Sequence, residues 1–311
     1  MASSKAEAEE LIRKAEKCLK TSLLKWSPDI DSAIGFYSKA ALLYRNSKMP
    51  KESAAIYMLI GDLYAKNGSF FHCAKSYDTA SLLFRDSGDF DKVVECVQTA
   101  GKLLRQNGVP DSAESVYARG AKSLEGKLPE QSAKFYENAA ETSELEEKYL
   151  QAADFAGQAA RVWTSVKRFD EADRLLRYQM TLSLQGATGE NVQLAYQVCG
   201  KAVVALVVIK LYLEDSVAAG KVYAEALEKY HFGETDDSSA VAGLLQAYDS
   251  FNSAASAELV RLPTFRNLEN EFARLARSIK FPDNLDDQGD ADKSCASAVG
   301  EKDQEEEEDI C

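Results

Sequence analysis

The sequence is poor in the residues that build metal sites and disulfide frameworks. Its 311 residues include only two histidines, six cysteines and six prolines. The cysteines form no C-x-x-C pair, and this spacing favours reduced thiols in a cytosolic protein. His72 and His231 have no second ligand at metal-binding spacing. We therefore expect neither a metal centre nor a disulfide scaffold.

Signatures of nucleotide and acyl-transfer chemistry are missing as well. Gly-Lys occurs four times, but Ser or Thr never follows it, so the sequence has no phosphate-binding P-loop. No G-x-S-x-G nucleophile elbow is present. We expect a protein that is not an enzyme and needs no cofactor. The first 280 residues are slightly acidic overall, which argues against a nucleic-acid partner.

The sequence also lacks long hydrophobic runs. The longest, "AVVALVVI" at residues 202–209, is far shorter than the roughly 20 residues that cross a bilayer. It predicts a buried helix segment. The first twenty residues are charged throughout, so we expect no signal peptide. These absences together predict a cytoplasmic protein.

What the sequence does contain is a repeat of about twenty residues. Glycines stand twenty apart at Gly68, Gly88 and Gly108, where we expect helix ends. Small residues recur at nearly the same interval, and an aromatic residue or Val97 precedes most of them by three or four positions. The small residues are Ala40, Gly61, Ala80, Ala100, Gly120, Ala140 and Ala160. Such a pattern is typical of stacked helices that cross closely at small side chains.

This repeat predicts an all-α fold, an antiparallel helix-hairpin (TPR-like) solenoid with about forty residues per hairpin. We predict one helical domain over residues 1–280. Within it, residues 1–188 would form a twisted sheet of helix hairpins, and residues 189–280 would form a C-terminal helical bundle cap. The helices of this cap are expected near 190–211, 214–230, 237–252 and 264–280. Residues 281–311 have a net charge of −10 and few apolar side chains, which predicts an acidic, disordered tail.

Three stretches resemble the SNAP family, the adaptors that link SNARE bundles to the ATPase NSF. They are "KAEKCLKTSLLKWSPDIDSAIGFYSKAALLYRNSK" at residues 14–48, "LLQAYDSFN" at 244–252 and the ending "EEEEDIC". The resemblance implies a non-enzymatic adaptor that binds a syntaxin-type SNARE four-helix bundle beside other SNAP copies and recruits NSF for its disassembly in vesicle-mediated transport and membrane fusion. It also implies weak attachment to the cytosolic face of Golgi and vesicle membranes. The alternative is a TPR-like scaffold for other peptides or complexes.

Candidate SNARE contacts lie near helix ends. The resemblance implies basic contacts at Arg45, Lys48 and Arg85, while for Lys127 and Lys167 only the forty-residue repeat argues. Equivalent positions stack on adjacent hairpins, so these five residues could form a basic strip along one edge. Complementation of helix dipoles would explain the same residues without a partner, and the two explanations are compatible.

Contacts with NSF are implied for acidic positions near the C-terminus. The segment "FPDNLDD" resembles the acidic, leucine-containing ending of the family. The implied residues are Asp249, Asp283, Leu285, Asp286 and Asp287.

The first connection, "KTSLLKWSPD" at residues 20–29, carries apolar side chains among lysines. The resemblance implies membrane contact by Leu23, Leu24, Lys25 and Trp26. Residues 11–48 have a net charge of +5, which suits an anionic leaflet. The alternative for Trp26 is a hydrophobic staple packed near Ile30.

Overall fold

The computed structural model describes residues 2–21 and 26–282. This part of the chain is almost entirely helical and contains no strand. The helices are α1 (Ala2–Leu19), α2 (Ile30–Asn46), α3 (Pro50–Lys66), α4 (Phe70–Ser87), α5 (Phe90–Gln106), α6 (Pro110–Leu124), α7 (Pro129–Leu145), α8 (Tyr149–Ser165), α9 (Phe169–Gln185), α10 (Val192–Tyr212), α11 (Ser216–Lys229), α12 (Asp236–Asp249), α13 (Ser253–Leu259), α14 (Pro263–Arg266) and α15 (Asn270–Arg277).

Helices α1 to α9 form a stack in which each helix packs against the next one along the chain. From α2 onward, turns of two to four residues join helices of similar length. Because such short turns reverse the chain, neighbouring helices run antiparallel and every second helix points the same way. The predicted solenoid of helix hairpins is thereby confirmed.

The close crossings predicted at small residues are present. A Cβ atom added to Gly61 would lie 2.8 Å from Cε2 of Tyr77, and one added to Gly120 would lie 2.6 Å from Cγ1 of Val97. Ala100, at the equivalent position of α5, is fully buried. The aromatic residue or valine of one helix therefore covers the small residue of another, as the repeat predicts.

The turns also follow the predicted chemistry. Gly68, Gly88 and Gly108 all adopt positive φ angles between 71° and 77°, the left-handed region that glycine enters without steric cost. Lys48 and Lys167 take the equivalent conformation in their own turns, with φ angles of 59° and 61°. The same left-handed residue thus recurs in the turns between α2 and α9, with or without glycine, except in the longer turn at residues 125–128.

Helix α10 is the core of the C-terminal part. The segment Gly189–Tyr212 is long and apolar enough to cross a membrane by length and composition, a longer stretch than the run at 202–209. In the structure it is mostly buried, and α10 packs against α9, α11, α12 and α15. The prediction that this run is a buried helix segment is confirmed.

The predicted helix at 264–280 is wrong. The chain there forms two short helices, α14 and α15, and the additional helix α13 precedes them. The Asn252 side chain accepts a hydrogen bond from the backbone N–H of Ala255 (3.0 Å) and starts α13. Pro263 then begins α14, because its missing N–H costs nothing in a first turn.

Ion pairs join the stack to the C-terminal helices. The Arg161 guanidinium on α8 lies 2.9 Å from the carboxylate of Glu125, and 3.3 Å from those of Glu269 and Glu271 at the start of α15. Its side chain is mostly buried. Arg161 therefore links the end of α6 to the start of α15, the last helix among the described residues.

Candidate functional site

The five basic residues predicted to contact SNAREs lie at one edge of the stack. Helices α2, α4, α6 and α8 point the same way, so their C-terminal ends meet at this edge. We call it the turn edge and define it by the turns at residues 47–49, 88–89, 125–128 and 166–168, with the helix ends beside them. It carries Arg45, Lys48, Arg85, Lys127 and Lys167, and all five are exposed.

The centre of the turn edge is a pocket between the turns that follow α4 and α6. Its volume is about 410 Å³. The Lys127 ammonium stands 5.9 Å from the centroid of the Phe90 ring, and Lys51 pairs with Asp89 at 3.1 Å. Arg85 pairs with its neighbour Asp86 at 2.8 Å. Such exposed pairs contribute roughly 0.2–1 kcal/mol each, so a partner carboxylate could replace them at low cost.

The turn edge also carries acidic residues, which the predicted basic strip did not include. Glu52, Asp91, Glu130 and Asp170 stand in the first turns of α3, α5, α7 and α9, which begin at this edge. Acids at helix N-termini and bases at helix C-termini both complement the helix dipoles. The edge is therefore mixed in charge, and its basic side chains alternate with carboxylates.

Two further cations on the turn edge were missed by the sequence analysis. Lys51 is the second residue of α3, and Arg168 precedes α9 with its guanidinium 5.6 Å from the centroid of the Trp163 ring. Neither position keeps the forty-residue register that identified Arg45 and Arg85. The position of these two residues on the turn edge follows from the fold, because a short turn brings the residues on both of its sides to the same edge.

Trp26 does not pack against the following helix. Its side chain is 93% exposed, so the hydrophobic staple near Ile30 is wrong. Asp29 starts α2 instead, accepting a hydrogen bond from the backbone N–H of Ser32 (3.1 Å). The other residues of the predicted membrane contact, Leu23, Leu24 and Lys25, lie outside the described residues. Their membrane role stays a prediction.

Asp249, the described member of the predicted NSF contact, ends α12 and is exposed. The ring of the preceding residue, Tyr248, meets the ring of Phe281 edge-on at 6.2 Å. Because Phe281 is anchored there, the described residues end close to the end of α12. Asp283, Leu285, Asp286 and Asp287 follow this point and lie outside the described residues.

Asp249 and a second carboxylate, Glu214, both act on Tyr248. Burial raises the pKa of Tyr248, and the charges of Glu214 and Asp249 act in the same direction. Helices α10 and α11 both contact α12. Within or just beyond the turns that follow α10 and α12, Leu213, Val217 and Phe251 are exposed. We call this surface the C-terminal face: Leu213, Glu214, Asp215, Val217, Asp249 and Phe251. Sequence analysis found only Asp249, because the nearness of the two turns is a tertiary feature.

The described residues include side chains of the kinds that could bind a metal ion. No group of three or more His, Cys, Asp or Glu among them could hold a metal ion. Burial raises the pKa of the Cys73 thiol to about 11 and those of Cys96 and Cys199 to about 12. These cysteines are therefore neutral thiols at physiological pH, and a neutral thiol is a poor nucleophile.

Comparison with known proteins defines the class. The family model described as "Soluble NSF attachment protein, SNAP" matches residues 6–262. The chain therefore belongs to the soluble NSF attachment protein family.

Two curated relatives are gamma-soluble NSF attachment proteins. The one from Dictyostelium discoideum is 24% identical over 277 residues, covering 89% of this chain and 83% of the relative. The one from Arabidopsis thaliana is 24% identical over 279 residues, covering 89% of this chain and 93% of the relative. Among solved structures, BtubC (BKLC) from P. vanneervenii matches with a TM-score of 0.36 and 16% identity, covering 73% of this chain and 88% of that one.

Proposed function

We propose that this protein is a non-enzymatic adaptor that binds SNARE four-helix bundles of the syntaxin type and recruits the ATPase NSF to disassemble them. Membership of the soluble NSF attachment protein family supports the proposal. The observation that carries it is the turn edge, where five exposed basic side chains recur with the helix repeat. A SNARE four-helix bundle is a rod with acidic charge along its length. Basic side chains that recur along the turn edge could pair with that charge at several points.

The second contact in this proposal is between NSF and the C-terminal face. Asp249 and its neighbour Glu214 supply negative charge there, and the acidic segment from Asp283 to Asp287 begins nearby. Exposed Val217 and Phe251 add apolar area within the same surface. Acids around an apolar centre suit a basic partner surface, since charge speeds association and apolar burial holds the complex.

The proposal includes weak membrane attachment at the first connection. Trp26 is almost fully exposed, as a side chain that inserts into a bilayer surface must be. With Leu23, Leu24 and Lys25 it would hold the protein on the cytosolic face of Golgi and vesicle membranes. Burying one large apolar side chain gives about 1.5–3 kcal/mol, so one adaptor would attach only weakly. Several SNAP copies on one SNARE bundle would act together.

The SNARE contact is tested by capture on an immobilised SNARE bundle. Arg45→Ala/Arg85→Ala/Lys127→Ala should reduce capture roughly tenfold at low salt, because exposed ion pairs are weak individually and add along an array. The difference from the wild type should shrink at high salt, because salt screens these pairs. The control is Lys66→Ala/Lys102→Ala, which removes two exposed charges from α3 and α5, helices whose C-terminal ends lie at the opposite edge. Equal capture by the two variants would contradict the assignment of the turn edge.

The NSF contact is tested by two truncations. A chain that ends at Asp287 should keep most NSF recruitment, and a chain that ends at Lys280 should lose it. Glu214→Lys/Asp249→Lys in the full chain should also weaken recruitment without changing SNARE capture. If both truncations recruit NSF equally, the assignment of Asp283, Leu285, Asp286 and Asp287 is wrong.

The membrane contact is tested by flotation with anionic liposomes. Leu23→Ser/Leu24→Ser and Trp26→Ser should each reduce flotation, while the melting temperature stays unchanged because these side chains are not expected to pack in the core. The control is Leu145→Ser, which replaces an exposed leucine on α7 outside this connection. Unchanged flotation of the folded loop variants would show that the connection does not touch the membrane.

A further inference from the structure

A groove on the last three helices concentrates positive charge. It has a volume of about 600 Å³ and lies between α13, α14 and the segment that follows α15. Three arginines line it, Arg261, Arg266 and Arg277. Its apolar wall is formed by Val260, Ile279 and Phe281. A groove with this lining suits a ligand that combines several negative charges with an apolar side chain.

The three groove arginines differ from the arginines that join the stack to the C-terminal helices. Arg161 and Arg177 each pair with two or more carboxylates in the protein. Within residues 2–21 and 26–282, the groove arginines have no carboxylate within 4 Å. Three like charges around one groove repel each other, and an anionic segment placed among them would remove that repulsion.

The chain itself contains such a segment. Phe281 lines the groove and Pro282 follows it, so the sequence beyond starts at the rim. Residues 305–310 read "EEEEDI", five consecutive acids followed by an isoleucine. Residues 283–304 connect the two, and a chain can span up to about 3.3 Å per residue, so this connection is long enough to return to the groove.

We propose that the groove binds residues 305–310 of the same chain. The acids face Arg261, Arg266 and Arg277, and Ile310 lies against Ile279 and Phe281. Tethering favours this occupant over an acidic segment of another protein, because the local concentration of a tethered segment does not depend on dilution. The proposal concerns the chain alone and does not rest on the binding of SNAREs or NSF.

The test uses the full chain and a labelled peptide with the sequence of residues 301–311, with serine in place of Cys311. Substitutions E305Q, E306Q, E307Q, E308Q and D309N give a neutralised chain in which the groove is open. Fluorescence anisotropy should show that the peptide binds the neutralised chain roughly tenfold more tightly than the wild type, since the wild-type segment competes. Equal binding by the two chains, or no binding to the neutralised chain, would overturn the proposal.

A second set of variants locates the binding. In the neutralised chain, R261Q/R266Q/R277Q should weaken peptide binding roughly tenfold, because each exposed ion pair contributes a factor of about two to five. The control K17Q/K20Q/K66Q removes the same charge from the N-terminal helices and should leave binding nearly unchanged. Circular dichroism of each variant checks that it is folded. Equal losses in the two triple variants would mean that net charge, rather than the groove, attracts the peptide.

Discussion

The stack α1–α9 and the C-terminal helices α10–α15 are both helical, but different features hold them together. In the stack, glycine and alanine let helices cross closely, and one aromatic residue or valine fills each gap. In the C-terminal part, α10 is buried along most of its length, its fully buried side chains include Leu206, Ile209 and Leu211, and shorter helices surround it. The stack should therefore be sensitive to added volume, and the C-terminal part to lost volume.

The largest effect is expected from truncation inside α10. Leu206 is fully buried, so Leu206→Ala should leave a cavity and lower the free energy of unfolding by about 2–5 kcal/mol. Urea unfolding followed by circular dichroism measures this. Leu145→Ala, which truncates an exposed leucine on α7, is the matched control and should change stability by less than about 0.5 kcal/mol. Similar values for both variants would mean that α10 is not the core.

Added volume in the stack should have the next largest effect. Ala100 is fully buried, and Ala100→Leu should lower the free energy of unfolding by roughly 1–3 kcal/mol through overpacking. Lys102→Leu on the same helix controls for the new side chain, because Lys102 is exposed. The measurement is again urea unfolding. A neutral Ala100→Leu variant would argue against a close crossing at this position.

A smaller effect is expected where the two regions meet. Asp173 on α9 accepts hydrogen bonds from Arg177 (2.7 Å) and pairs with Lys210 on α10 (2.6 Å). Burial opposes the charge of Asp173, but these two cations hold its pKa below the ordinary value of 3.8. Asp173→Asn should lower the free energy of unfolding at pH 7 by about 1–2 kcal/mol.

The pH dependence gives this prediction a second readout. A carboxyl group with a lowered pKa in the folded state stabilises the protein above its unfolded pKa. That contribution is lost as the pH falls below about 4, through the folded value. The wild type should therefore lose more stability than Asp173→Asn between pH 4.5 and pH 3. Asp170→Asn, at an exposed position of the same helix, should keep the wild-type profile. Parallel profiles for wild type and Asp173→Asn would contradict the role of this pair.

The smallest effect concerns the turns of the stack. Lys48 holds a left-handed conformation that glycine holds at Gly88. Lys48→Gly should raise the free energy of unfolding by about 0.5 kcal/mol, since relief of backbone strain exceeds the entropy added to the unfolded chain. If Lys48 also contacts SNAREs, the same variant should bind the bundle less well while being more stable. Loss of stability would show that the lysine side chain is needed for folding.

The helix stack could be predicted from the sequence because the same short pattern repeats along the chain. A crossing residue such as Ala100 and a turn residue such as Gly88 recur at a fixed interval, so one hairpin predicts the next. The C-terminal part has no such repeat. Its helix starts at Asn252 and Pro263, and the break at residues 267–269 that separates α14 from α15, are each confined to a single turn. For this reason one predicted helix proved to be two.

Some residues of the candidate site could be predicted from the sequence repeat, and others depend on the fold. The forty-residue register places Arg45 and Arg85 on one edge without any knowledge of packing. The cations Lys51 and Arg168 and the carboxylates of that edge follow from turn geometry, which the register does not contain. Glu214 lies 34 residues before Tyr248 in the sequence, and only the packing of α10, α11 and α12 brings it near Asp249.

The most direct test of the adaptor function is nucleotide-dependent release of NSF. An immobilised SNARE bundle is incubated with this protein and NSF under conditions that block ATP hydrolysis, and hydrolysis is then allowed. We expect NSF to be retained only when this protein is present, and to be released, with the bundle taken apart, once ATP is hydrolysed. Retention of NSF without this protein, or capture that is indifferent to nucleotide, would contradict the adaptor function and favour a scaffold for other partners.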